Sequence, residues 1–291
     1  MFRKAEVLSS QNHANLRIAQ SEGYGFASKL LTVPIVYSEM ADIAREYPLL
    51  FPKGQDLPIA LMGAEANVNA YVTPEGKWLA SYIPAQIMAY PFGLTALPKE
   101  PNKMALVIDM AAEHVGTDIG MHLFEADGKP TQALKARLDV LRKMKEQEAV
   151  TTRMVRQIRD AGLLVERAIR ISKNDTGDKQ IAGLEFVNEK ALNALPHEEF
   201  AKLRDGGVLP LIYAHLLSVA NLRQGVIAGK YVDRSKPDVG VSMVDVDKFL
   251  ASAEQQSATS EVYDKGTDLN LFADDGDFNL GDFTGEDKIK H

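Results

Sequence analysis

The sequence predicts an α+β fold: an antiparallel or mixed sheet with hairpins, one long helix, and C-terminal helices packed on it. Three observations predict this. Leu134, Leu138, Leu141, Val155 and Ile158 recur at helical spacing across residues 131–161, with Thr131 placed as an N-cap and Gly162 as the stop. Residues 164–171 and 181–187 are apolar-rich runs on either side of a polar loop, a hairpin pattern. Residues 105–109, Ala-Leu-Val-Ile-Asp, form a short apolar run of the kind that makes a buried strand.

In chain order, residues 16–19 alternate and end at the turn Ser21-Glu22-Gly23-Tyr24-Gly25. Residues 30–35 read as a strand interrupted by Pro34, which places it at a sheet edge because proline cannot donate to a ladder. Ser38 is positioned to cap a short helix through Ala41, Ile43 and Ala44, ending before Pro48. Residues 57–62 and 67–72 read as strands. Thr73-Pro74-Glu75-Gly76-Lys77 is a turn, with residues 78–82 returning as the partner strand. Pro84 opens a short helix over 85–89 that ends near Tyr90-Pro91. His122, Leu123 and Phe124 read as a strand closed by the turn 126–129. Asn188 and Pro196 begin short helices, and Gly206-Gly207 separates them from a last helix over 209–228.

Residues 1–250 read as the folded body and 251–291 as an acidic, aromatic tail. Of the formal net charge of -7, the last thirty-one residues supply -6, so the body is nearly neutral. From Ser252 onward the chain is too polar to offset its own ordering entropy. Leu271, Phe272, Phe278, Leu280 and Phe283 are set among aspartates, the form of a short linear interaction motif; a solvated tail without a partner is the equal alternative.

Several chemistries are excluded or unsupported. The chain has no cysteine, which rules out disulfides, thiolate nucleophiles and Cys-ligated metals. Gly23-Tyr24-Gly25 lacks the frame of a phosphate loop, Gly240-Val241-Ser242 does not complete a nucleophile elbow, and Asp274-Asp275-Gly276-Asp277 lacks EF-hand spacing. No histidine pair has metal-ligating helical spacing, so neither metal nor cofactor is expected. No stretch reaches the ~20 apolar residues that cross a bilayer. Glu6, Asn12 and Arg17 break any leader-like core, which points to the cytoplasm. The long helix is rich in Lys and Arg, a solvated face in most proteins; nucleic acid is not expected, since the body is not basic overall. Docking of the acidic tail on this helix in a second copy is the partner reading that uses both features.

An ordered set of blocks resembles the bacterial SapC family. His13-Ala14-Asn15-Leu16-Arg17 opens it; Val33-Pro34, Glu39 and Glu46-Tyr47-Pro48 follow. Then come Pro58-Ile59-Ala60-Leu61-Met62-Gly63, Gly76-Lys77-Trp78, Tyr82-Ile83-Pro84-Ala85 and Tyr90-Pro91-Phe92. Ile108-Asp109, Leu123-Phe124, Asp127-Gly128, Pro130-Thr131, residues 192–196 and residues 213–218 complete the run, which spans roughly residues 10–230. Two departures stand out: Met110 follows Asp109 where the family has an acid, and residues 112–121 lengthen the next loop. The resemblance implies a link to bacterial surface-layer loci, which sets surface association by non-classical export beside the cytoplasmic reading. It implies no catalytic residues.

The leading expectation is therefore a non-catalytic binding or assembly protein. The alternative is an enzyme or accessory factor acting on a peptide or aromatic group. His215, in an apolar helix, is either a core histidine satisfied by backbone or a pocket base paired with Asp109 or His13. Tyr47 and Tyr90, each before a proline, form an aromatic pocket with Trp78, Tyr82 and Phe92, or else fill the core. Convergence of His215, Asp109 or Trp78 on one concavity is the observation that favours the enzyme.

Overall fold

A computed structural model describes residues 1–97, 100–171, 179–231 and 241–243. In chain order the elements are β1 (Ala5–Val7), α1 (Ser10–His13), β2 (Arg17–Ile18), β3 (Thr32–Pro34), α2 (Met40–Glu46), β4 (Leu49–Pro52), β5 (Ile59–Leu61) and α3 (Ala85–Ala89). They continue with β6 (Phe92–Leu97), β7 (Glu100–Asp109), β8 (Val115–Gly116), β9 (Met121–His122), α4 (Gln132–Asp160), β10 (Leu164–Ile171) and β11 (Lys179–Val187). Then come α5 (Glu189–Asn193), α6 (His197–Asp205), α7 (Leu209–Ser218), α8 (Asn221–Gln224), α9 (Val226–Tyr231) and β12 (Val241–Met243). The fold is α+β, and every strand pair among the described residues is antiparallel.

The strands form a six-stranded sheet in the order β12-β10-β11-β4-β5-β3 and two three-stranded sheets, β1-β7-β6 and β8-β2-β9. Pro34 lies in β3, at the edge where its missing N–H costs no ladder bond. The β10–β11 hairpin has the predicted place, with a register shift between Arg167 and Ile169.

Helix α4 begins where Thr131 accepts the Leu134 N–H and ends against Gly162, whose φ of 68° is the left-handed stop that glycine takes at least cost. Its N-terminal half lays Leu134 and Leu141 on a core made of Leu16, Ala89, Phe92, Ile108, Leu123 and Phe124, with β6 and β7 beneath. Farther along, Thr151 is fully buried: its hydroxyl donates to Gln147 O and accepts the Tyr37 N–H at 2.8 Å. At the C-terminal end Arg156 and Arg159 both reach Asp56, at 2.7 and 2.6 Å, and Arg159 also meets Glu185 at 3.1 Å. Part of the basic surface foreseen for this helix is thus neutralised by the body itself.

Helix α7 packs on α2 and on β4 and β11, burying Leu211, Ile212, Ala214, His215 and Ser218. Each fully buried Leu or Ile contributes about 1.5–3 kcal/mol relative to exposure. No helix among the described residues is long and apolar enough to cross a membrane.

Four expectations are corrected. Residues 67–72 and 78–82 are not strands: Asn67 has φ 61°, outside strand geometry, and among the described residues the two arms share one isolated backbone bridge, Val72 to Trp78. Glu39, not Ser38, caps the turn before α2; its carboxylate accepts the Val36 N–H at 3.2 Å. The last helix is three pieces, broken at Val219-Ala220 and Gly225. Strand β9 stops at His122, and Phe124 forms an isolated bridge to Pro130. Residues 245–253, whose sequence allows one or two further helical turns, lie outside the described residues.

Candidate functional site

Rings that are far apart in sequence meet in one continuous series. Tyr47 lies 4.4 Å from Tyr71, centroid to centroid; Tyr71 stacks on Trp78 at 6.3 Å; and Trp78 meets Tyr24 edge-on at 5.4 Å. Tyr24 leads to Phe26 at 6.2 Å, and Phe26 stacks on Tyr90 at 4.1 Å with the planes 17° apart. Phe2 and His114 then flank Tyr90 edge-on, at 5.9 and 5.8 Å.

The two ends of this series differ. At the inner end Tyr47 and Tyr71 are fully buried. The Tyr47 hydroxyl donates to Tyr82 O and accepts the Trp78 Nε1–H at 2.8 Å; Tyr71 donates to Glu46 O at 2.8 Å. Burial raises both phenols far above their ordinary range. These are neutral structural donors that stand in for the missing strand ladder. Buried Glu39 fastens the same region by accepting the Tyr82 hydroxyl at 2.9 Å and the Ala85 N–H at 2.7 Å.

At the outer end Phe26 and Tyr90 line a cleft of about 740 Å³. One wall is the turn 20–25, a second the turn 74–76, and a third the loop 113–119; Arg3 also lines the cleft. The first two walls are pinned together. The Tyr24 N–H donates to Gly76 O at 2.8 Å, and a Cβ on Gly23 would stand 2.9 Å from that oxygen. Gly120 has φ 107°, and a Cβ there would lie 2.2 Å from Ile18 O, so the third wall turns on β2 only with glycine at this position.

Beneath the cleft Asp109 is fully buried. It accepts the N–H groups of Arg3 (2.9 Å), Lys4 (2.8 Å) and Ala111 (3.1 Å), and the Tyr90 hydroxyl (2.9 Å). Burial pulls its carboxyl upward, but these donors outweigh it and hold the group below its ordinary value. Tyr90 is pushed up to about 12, by burial first and then by Asp109. His114 is held below its ordinary value by burial, against the opposing charge of Glu113.

The residues singled out in the sequence therefore divide. Tyr90 and Asp109 come together at the cleft. Trp78 and Tyr47 come together with each other, at the inner end of the ring series, and Phe92 is core. His215 meets neither Asp109 nor His13: its Nδ1–H donates to Leu49 O at 2.7 Å and its Nε2 accepts the Val187 N–H at 3.1 Å. It is fully buried beside Phe51 and Phe186, and burial lowers it to about 4. His13, also buried, accepts the Ser9 N–H and faces Glu6 at 3.4 Å. Leu271, Phe272, Phe278, Leu280 and Phe283 lie outside the described residues.

Sequence reasoning missed Tyr24, Phe26, Glu113 and His114. The available signal was the unusual length of the 112–121 loop, which supplies the third wall.

The SapC family model matches residues 8–224. No curated protein and no solved structure matches the chain.

Proposed function

The chain belongs to the SapC family, and on that premise we propose that it is a non-catalytic binding protein whose cleft receives an aromatic or apolar group. The observation that carries this reading is the Phe26–Tyr90 stack, a rigid ring pair lining a concavity of ligand size. The polar groups beneath it are already committed. Tyr90 and Asp109 satisfy one another and the backbone, and Tyr90 holds its proton at neutral pH, so the pair serves as a foundation and not as a base. The proposal extends to service in a bacterial surface-layer system, a link suggested by the family association alone. It extends also to a protein partner, or a second copy, bound through the C-terminal tail, which the charge split of the sequence suggests.

Backbone amide NMR of the full chain, titrated with N-acetyltyrosine amide, tests the cleft. The expected result is a set of shifts at Gly23, Gly25, Gly76 and Gly116 that Phe26→Ala abolishes while leaving the remaining spectrum dispersed. Shifts confined to other regions, or none at millimolar ligand, would refute it.

A further inference from the structure

We propose that this cleft selects a cation: a protonated amine or guanidinium carried beside an apolar group. The inference rests on the binding reading above and adds the sign of the charge. Four carboxylates, Glu22, Glu75, Glu113 and Asp118, are distributed over all three walls. Arg3 is the one Lys or Arg among the described residues that line the cleft, one cation against four carboxylates. Its guanidinium donates to Ala111 O at 2.6 Å, and its backbone N–H donates to Asp109 at 2.9 Å.

The carboxylates have few commitments. Asp118 accepts the Thr117 hydroxyl at 3.1 Å, and Glu75 is engaged with Thr73 in its own turn, which holds its carboxyl below the ordinary value. His114 adds no positive charge at neutral pH, because burial lowers it. A concave wall of one sign concentrates its potential in the space between. That space is lined by the Phe26 and Tyr90 rings, and aromatic rings attract cations, while an anion would meet repulsion from the carboxylates of the three turns. Ring and charge complementarity thus specify the same ligand.

The test compares benzylamine, benzyl alcohol and benzoate on the full chain, by amide NMR titration at low and at physiological salt. Benzylamine is expected to bind roughly five- to tenfold more tightly than benzyl alcohol, and benzoate not at all, with the advantage shrinking as salt screens the rim. The exposed double variant Glu22→Gln/Glu113→Gln should reduce the benzylamine advantage and leave benzyl alcohol unchanged. Equal affinity for benzylamine and benzyl alcohol would overturn the charge selection and leave the binding reading standing; no binding of any of the three would overturn both. A lysine-containing tripeptide amide and its Nε-acetylated form identify the source of the cation. Loss on acetylation supports a peptide side chain, while a tripeptide that binds more weakly than benzylamine supports a free amine.

Discussion

Asp109 Oδ2 accepts both the Tyr90 hydroxyl and the Arg3 N–H, each at 2.9 Å. One oxygen thus ties a ring of the cleft to the start of the chain, and Asp109 Oδ1 extends the tie to Lys4. Asp109→Asn turns a donor-facing oxygen into an amine that opposes those N–H groups. A loss of about 3 kcal/mol is expected on chemical denaturation. Amide exchange at Lys4 and at Met110, whose N–H bonds Lys4 O, should accelerate with it. Tyr90→Phe removes one donor only and should cost about 1 kcal/mol. Equal losses in the two variants would contradict this assignment.

His215 makes stability depend on mild acid. Its value in the folded protein, about 4, lies below the ordinary 6.5, so the unfolded chain takes up the proton first as pH falls. Stability is therefore full above about pH 6.5 and declines by about 3 kcal/mol as pH falls to about 4. The fall due to Asp109 lies lower, because a depressed carboxyl loses its contribution only beneath its ordinary value of 3.8. His215→Gln, whose amide can both donate to Leu49 O and accept from Val187, should flatten the upper window. Urea midpoints across that window check it; a wild-type profile without slope would remove the argument.

Gly120→Ala places a methyl 2.2 Å from Ile18 O at a φ of 107°. The loop 113–119 must move or the backbone must strain, at a cost of about 1–3 kcal/mol. Thermal denaturation should register the loss. The displacement should weaken ligand binding in the cleft while amide shifts around His215 stay put.

Deleting residues 255–291 tests the tail. If the acidic segment associates with a second copy, light scattering at low salt should show a smaller particle after deletion, and no difference at high salt. An unchanged mass at low salt would end that proposal.

The elements that were legible in sequence are those whose hydrogen bonds stay local. Thr131 and Gly162 bracket α4 because a cap and a left-handed stop act within a few residues. The β10–β11 hairpin has the same character. Strand β4 escaped notice because Pro48 and Pro52 punctuate a short run that looks like a connection, yet it lies between β11 and β5. The segment around Trp78 read as a strand, but its polar groups are answered by side chains: Glu46 accepts the Ser81 N–H, and Tyr82 O accepts from Tyr47 and Trp78. Asp109 and Tyr90 were recognisable as candidates, whereas the cleft was not. It is assembled from three turns whose meeting depends on Gly23 and Gly120 approaching backbone elsewhere in the chain, and no periodicity encodes that.

Leu49, at the head of β4, has its N–H on Ser218 Oγ at 2.9 Å and its carbonyl on His215. A chain emerging from the ribosome therefore carries these two interior polar groups unanswered until some 170 further residues have been made. Nascent pieces ending before Ser218 should remain open to proteases, and the shortest piece able to close should end soon after it. The family match ends at residue 224, just beyond this latch.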